Sequence, residues 1–324
     1  MTDSRRTGSG LNRRPSASDR SLTPEARRRA DRARRLRRGL PALGLVAPAA
    51  IVYAVFVLSP LFATIQYSFY DWNGVTPGTW AGLDNYKRLF TDEELFGSIV
   101  NAFQLILYFS VIPVTFGLIA AALIRKFGAS RLALVSRTVL FLPQVIPLVA
   151  AGIMWTWLMA RDGAVNQFFR LIGLGGITRA WLGDFDTALP AVGVIGAWVS
   201  LGLCMLLLLA GMSKIDPALY EAARLDGAGA ISEFRAVTLP AVRQELGVAV
   251  IITVISALRS FDIIYISTQG GPGNSTLVPG LEIYYLAFFQ REVGQASALA
   301  VALTVLVLAV VLPLNRLARG KEDS

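Results

Sequence analysis

Few side chains in this sequence could do chemistry, and their placement limits what that chemistry is. The chain has no histidine and one cysteine, Cys204. That removes the usual general base and the commonest metal ligand, and it leaves no internal disulfide or Cys-based metal site. No G-x-x-x-x-G-K-[ST] phosphate loop occurs, and the only Gly-Lys pair is Gly320-Lys321, so the chain is not expected to hydrolyse a nucleotide. What remains is a small polar group inside a strongly apolar run: Ser256, Arg259, Ser260 and Asp262. Ionisable residues in such a run default to a functional role. At a spacing of three, Arg259 and Asp262 are expected to share a helix face. There they either close on each other as an ion pair or line the path of a polar solute.

The elements that must position these residues are long apolar helices. Of 324 residues 54% are apolar and 16% charged, with a mean hydropathy of +0.54, where soluble proteins carry about 25% charged residues. Six runs reach the roughly 20 residues that a helix needs to cross a ~30 Å hydrocarbon core. They lie at about 40–67, 97–124, 138–160, 188–212, 246–267 and 293–315. Backbone groups in lipid must pair internally, so helices are expected. The reading is an all-α membrane protein, one six-span domain over residues 39–318. Its first span is too long for a cleavable signal. Prolines in the first three spans, among them Pro60, Pro113, Pro143 and Pro147, are expected to kink them. No internal repeat stands out, which counts against an ion-coupled secondary transporter built on inverted repeats. That class remains the alternative. An intramembrane enzyme would want an acid pair or metal ligands at membrane depth, and none is present.

The net charge of +9 sits in residues 1–38, an Arg-rich stretch expected to be a disordered cytoplasmic tail near anionic lipid. It has no aromatic residue to stack on a base, so nucleic acid is not an expected partner. With the N-terminus inside, the cytoplasmic segments hold 24 Lys and Arg and the external ones 6. That bias puts both termini and the loop of residues 212–243 in the cytoplasm of a multi-pass cell-membrane protein.

The loop contains Tyr220 to Pro240, YEAARLDGAGAISEFRAVTLP. Asp216 suits an N-cap and Pro217 the first helical position. Pro217 to Asp226 then reads as a short helix ended by Gly227, and a second runs from about Ser232 to Val237, stopping before Pro240. Its spacing resembles the EAA loop of permease subunits in binding-protein-dependent ATP-binding-cassette importers. That pattern is Glu-Ala-Ala, three residues, Gly, nine residues, Ile, any residue, Leu-Pro. Glu221, Ala222, Ala223, Gly227, Leu239 and Pro240 match it, and Val237 stands in place of the Ile. SFYDWNG (Ser68 to Gly74), GLDNYKRLF (Gly82 to Phe90), FLPQVIP (Phe141 to Pro147), GMSKIDP (Gly211 to Pro217) and TQGGPGNST (Thr268 to Thr276) are similar to further marks of the sugar-importer members.

The resemblance implies a type I importer permease fold. It implies that a coupling helix carrying Glu221, Ala222, Ala223, Arg224, Asp226 and Gly227 seats on a separate ATPase dimer, which uses ATP and Mg while this chain holds no cofactor. It also implies a second permease subunit, an extracytoplasmic solute-binding protein and a sugar-like solute, a carbohydrate or a related polyol or sugar phosphate. Trp198 and Ser200 are similar in place to positions lining the sugar site of maltose-type permeases. An indole suits the apolar face of a sugar ring and hydroxyls suit its OH groups. Ser256, Arg259, Ser260 and Asp262 are the further candidates for the solute path. Asp71, Trp72 and Asn73 and the Gly-rich loop at 270–274 are candidates for docking the binding protein.

Overall fold

The computed structural model describes residues 46–128 and 130–319; the N-terminal tail and the first residues of the first span lie outside them. The chain divides into two compact units, residues 1–63 and 64–324. Helix α1 (Val46–Tyr67) is apolar along its length. In the second unit a two-stranded hairpin, β1 (Tyr70–Asp71) and β2 (Thr79–Trp80), leads to α2 (Asp84–Thr91). Then come α3 (Glu93–Phe127), α4 (Arg131–Val145), α5 (Leu148–Leu158), α6 (Ala164–Leu171) and α7 (Ala188–Met212). The chain ends with α8 (Pro217–Leu225), α9 (Ala230–Ala241), α10 (Arg243–Leu258), α11 (Asp262–Ser267), α12 (Pro279–Tyr285) and α13 (Val293–Arg319).

Four helices, α1, α3, α7 and α13, are long and apolar enough to cross a membrane alone. Two bent pairs, α4 with α5 at 101° and α9 with α10 at 70°, bring the crossings to six if each pair is one span. The third expected span is therefore broken rather than kinked. Pro147 lacks an N–H and restricts the residue before it, and the chain turns through extended Ile146. Three other prolines do not interrupt their helices. A wide, five-residue π turn precedes each one: Ala54–Leu58 before Pro60, Leu107–Val111 before Pro113, and Phe234–Thr238 before Pro240. A π turn makes room for the proline ring against the preceding turn, so the helix runs on. For the same reason the second loop helix continues through Pro240 to Ala241 instead of stopping before it.

The core is built around α7, the most buried of the long helices. Lipid tails are as apolar as leucine, so helices associate by close packing at small residues. Along α7, Gly193 and Gly196 receive the rings of Tyr108 and Phe109 from α3, while Gly202 lies against the backbone of Leu140 and Phe141 in α4. Gly117 of α3 sits on Cys204 and Met205 in turn. Adding a methyl group at Gly202 would drive it into the Leu140 carbonyl oxygen, which cannot rotate away. Gly97 of α3 has open space where its Cβ would be. Gly202→Ala is expected to destabilise the purified protein by about 1–3 kcal/mol. Gly97→Ala should leave stability equal or higher by up to about 1 kcal/mol. Thermal unfolding of the two variants in one detergent checks both.

Candidate functional site

Two features stand out in the second unit, a polar cavity among the helices and a short helix held off the end of the bundle. The cavity, about 330 Å³, lies past the end of α10, where the apolar run 246–267 breaks. Helix α10 ends at Leu258, the backbone of Arg259 to Phe261 is non-helical, and α11 starts at Asp262. Irregular backbone at membrane depth is tolerated where protein buries it or it lines a cavity. Here the Ser260 carbonyl rests against Gly280 of α12, and Phe261 stacks on Tyr265 with ring centroids 5.3 Å apart. Across the cavity stands the other broken span. Gly152 of α5 admits Ile266 of α11 at close range, so the two broken spans meet beside the solute-sized space.

The lining carries Ser200, Ser256, Arg259, Ser260 and Asp262, which the sequence had singled out on separate helices. Their arrangement differs from a single helical face. Because the helix breaks between them, Arg259 and Asp262 form no ion pair with each other; among the described residues neither side chain has an ion-pair or hydrogen-bond partner. The expected intrahelical pair is thus replaced by two free charges at one cavity. Ser260 is buried and its Oγ has no partner. Trp198 is not in the lining of this cavity; its indole meets Trp155 edge-on at 5.5 Å. Gln144 of α4 joins the cavity instead, and its Oε1 is also buried without a partner. Its sequence signal was its position between Pro143 and Pro147, whose break turns this amide into the space. Two buried acceptors without donors are costly unless something supplies the bonds, and a hydroxyl-bearing solute would do so.

The second feature is α8. Asp216 Oδ1 accepts from the Ala218 N–H at 2.9 Å, and Pro217 opens the helix. Gly227 ends it at φ +81°, with the N–H of Ala228 closing on the Ala223 carbonyl at 2.9 Å. Glu221, Ala222, Arg224, Asp226 and Gly227 are exposed and Ala223 half-buried. Leu225 is 89% exposed. The sequence did not reveal what fixes this helix. Tyr220, beside Glu221, is buried, and its hydroxyl meets Thr238 Oγ1 of α9 at 2.9 Å. The Arg125 guanidinium of α3 lies over its ring, 3.8 Å from the centroid, a cation–π contact. Arg224 Nε donates to Glu233 Oε2 at 3.0 Å, and Lys214 pairs with Glu245 at 2.9 Å. A buried aromatic within a charged segment was the one available hint.

At the other end, Asn85 donates to the carbonyls of Ser68 and Tyr70 and accepts from Gln295 Nε2 through its own carbonyl. This holds the hairpin with Asp71 and Trp72 against α13. Asn73 Oδ1 accepts from Val75 and Thr76, and the loop after α11 is tied to α3 by Asn101, which donates to the Leu277 carbonyl at 2.9 Å.

Residues 113–319 match the family described as the inner membrane component of binding-protein-dependent transport systems. The chain belongs to this family. Among its relatives, a probable ABC transporter permease of Bacillus subtilis is 35% identical over 88% of this chain and 98% of that protein. A diacetylchitobiose uptake permease of Streptomyces coelicolor is 32% identical over 95% and 92%. A trehalose/maltose transport permease of Thermococcus litoralis is 30% identical over 86% and 94%. Among solved structures, a chain of a bacterial ABC transporter importing the acidic polysaccharide alginate superposes with a TM-score of 0.77, covering 90% of this chain and 99% of that one at 23% identity. That likeness speaks for the fold, the all-α permease fold of an ABC importer. The permease is accordingly a multi-pass inner-membrane protein.

One buried acid belongs to neither feature. Glu282 of α12, between the last two spans, is 2% exposed and its Oε2 has no hydrogen-bond donor. Burial pushes its carboxyl up to about 7, and the charges of Glu94, Asp92 and Glu292 add to the rise. An acid whose pKa is raised in the folded state binds its proton more tightly there. Stability is therefore fully present below the ordinary value of 4.5 and is lost as pH rises from there to about 7. Glu282→Gln should melt a few degrees above wild type at pH 8. The gap should narrow below about 7 and close below 4.5, as read by unfolding across that range.

Proposed function

We propose that the permease forms one half of the translocation path for a carbohydrate or a related polyol, delivered by an extracytoplasmic binding protein and driven by a separate ATP-hydrolysing subunit. The observation that carries the solute reading is the cavity at the two broken spans. It offers donors from Arg259, acceptors from Asp262, Gln144 and Ser260, and no covalent chemistry. Charges that cancel and many hydrogen-bonding groups suit a hydroxyl-rich solute more than an ion. Similar proteins named for diacetylchitobiose and for trehalose and maltose support that class.

The coupling reading rests on α8. A helix capped at both ends and clamped to α3 and α9 by one buried tyrosine is a rigid lever whose exposed face suits a partner. In this account the face with Glu221, Arg224, Leu225 and Asp226 seats on the ATPase, which uses ATP and Mg; this chain holds neither. A second permease supplies the other half of the path. The Lys and Arg bias supports cytoplasmic termini.

The test is solute uptake by the assembled transporter in proteoliposomes. Gly227→Pro, which cannot adopt φ +81°, and Glu221→Lys should abolish uptake while the protein still reaches the membrane. Ser260→Ala and Gln144→Leu should lower uptake roughly tenfold, since each removes an acceptor that the solute satisfies. Uptake that persisted without ATP and collapsed with an ion gradient would replace this reading with ion-coupled transport.

A further inference from the structure

A larger cavity, about 980 Å³, opens between the C-terminal end of α3 and the loop helices α8 and α9. It has two chemically distinct ends. One wall is aliphatic, with Ile119 and Leu123 of α3 49% and 53% exposed. The other end is basic, with Arg125 and Lys126. Lys126 is exposed and, among the described residues, has no carboxylate or hydrogen-bond partner. Arg125 lies over Tyr220 and likewise has no carboxylate. Of the two acids in the lining, Glu233 is already held by Arg224, and Glu221 lies on the face assigned to the ATPase. The α3 end of the cavity therefore presents two cations with which no acid among the described residues pairs.

Depth decides the occupant. Ile119 precedes Lys126 by seven residues, about 10 Å along the helix axis. With Lys126 at the cytoplasmic interface, the aliphatic wall reaches into the hydrocarbon. A water-soluble ATPase stops at the headgroups and cannot cover Ile119. A phospholipid reaches both ends at once, its phosphate at the cations and a chain along the aliphatic wall. Basic residues at that interface attract anionic lipid.

We propose that this cavity holds an anionic phospholipid of the cytoplasmic leaflet, its phosphate against Lys126 and Arg125 and an acyl chain along Leu123 and Ile119. The bound lipid braces α8 against α3, so the membrane itself sets how firmly the coupling helix is held. The orientation is that of the proposed function.

The experiment uses the assembled transporter, purified in mild detergent, with retained lipid measured by mass spectrometry. Uptake is measured in phosphatidylcholine vesicles with and without phosphatidylglycerol. Wild type should retain phosphatidylglycerol and show faster uptake when it is present. Lys126→Glu should retain about fivefold less and lose the stimulation. Arg131→Glu, an exposed cation of α4 outside the cavity, should behave as wild type. Equal losses in both variants would mean general surface charge and would overturn the site. Reversal of the stimulation by inorganic phosphate in the buffer would point to a free anion and also overturn it. So would a photo-cross-linker at Leu123 that labels a protein subunit instead of lipid. Phosphatidylglycerol retention that is lost on Lys126→Glu, with ATP-driven uptake absent throughout, would sink the coupling reading and leave the lipid site standing.

Discussion

Close backbone approach along α7 is the constraint on which the rest of the permease depends. In lipid there is no hydrophobic gain from bringing two helices together, so packing must come from contact at small residues. Gly193, Gly196 and Gly202 let α3 and α4 reach the α7 backbone. Farther along, Gly211 faces Glu245 of α10 at 2.7 Å from where a Cβ would stand. One helix thus carries three neighbours. It also joins the two functional features, because Ser200 lines the cavity and Met212 ends the helix one turn before α8 begins. From Ser200 to Met212 is about 18 Å of unbroken helix, which ties the cavity to the loop that carries α8.

The cavity lies where two apolar runs break beside one another. Each break frees polar groups that a lipid-facing helix could not afford. At Arg259 to Asp262 the chain gains two unpaired charged side chains and an unpartnered hydroxyl; at Pro143 to Pro147 it gains a buried amide oxygen. The bundle tolerates these costs because α11 and α5 interlock through Gly152 and Ile266 beside the breaks, while Arg259 and Asp262 stay exposed. The prolines show the same economy in reverse. Pro60, Pro113 and Pro240 follow π turns and leave their helices continuous, whereas the Pro147 break is used to build a wall of the cavity.

What the sequence showed follows from which constraints are local. Span length is set by bilayer thickness, so the apolar runs that form α1, α3, α7 and α13 could be read, and the caps at Asp216 and Gly227 are decided within a few residues. The serines and charges of the cavity were legible as types, since polar groups in apolar runs stand out. Their mutual geometry was not, because it depends on a helix break that a spacing of three between Arg259 and Asp262 does not announce. Trp198 looked suited to a sugar ring, yet its neighbour Trp155 comes from a distant segment. Tyr220 is the clearest omission. Its role comes from Arg125 and Thr238, which lie 95 residues before and 18 residues after it in the chain, and no local pattern reports such a contact.

The central claim is that Tyr220 joins the coupling helix to the bundle, so that ATP hydrolysis and solute movement are mechanically linked. The most direct measurement is the ratio of solute imported to ATP hydrolysed by the assembled transporter carrying Tyr220→Ala, with Tyr220→Phe beside it. The account predicts that Tyr220→Ala still hydrolyses ATP but imports little, so the ratio falls about tenfold or more. Tyr220→Phe, which keeps the ring under Arg125 and loses the bond to Thr238, should fall between. An unchanged ratio in Tyr220→Ala, with the protein folded and assembled, would contradict the account.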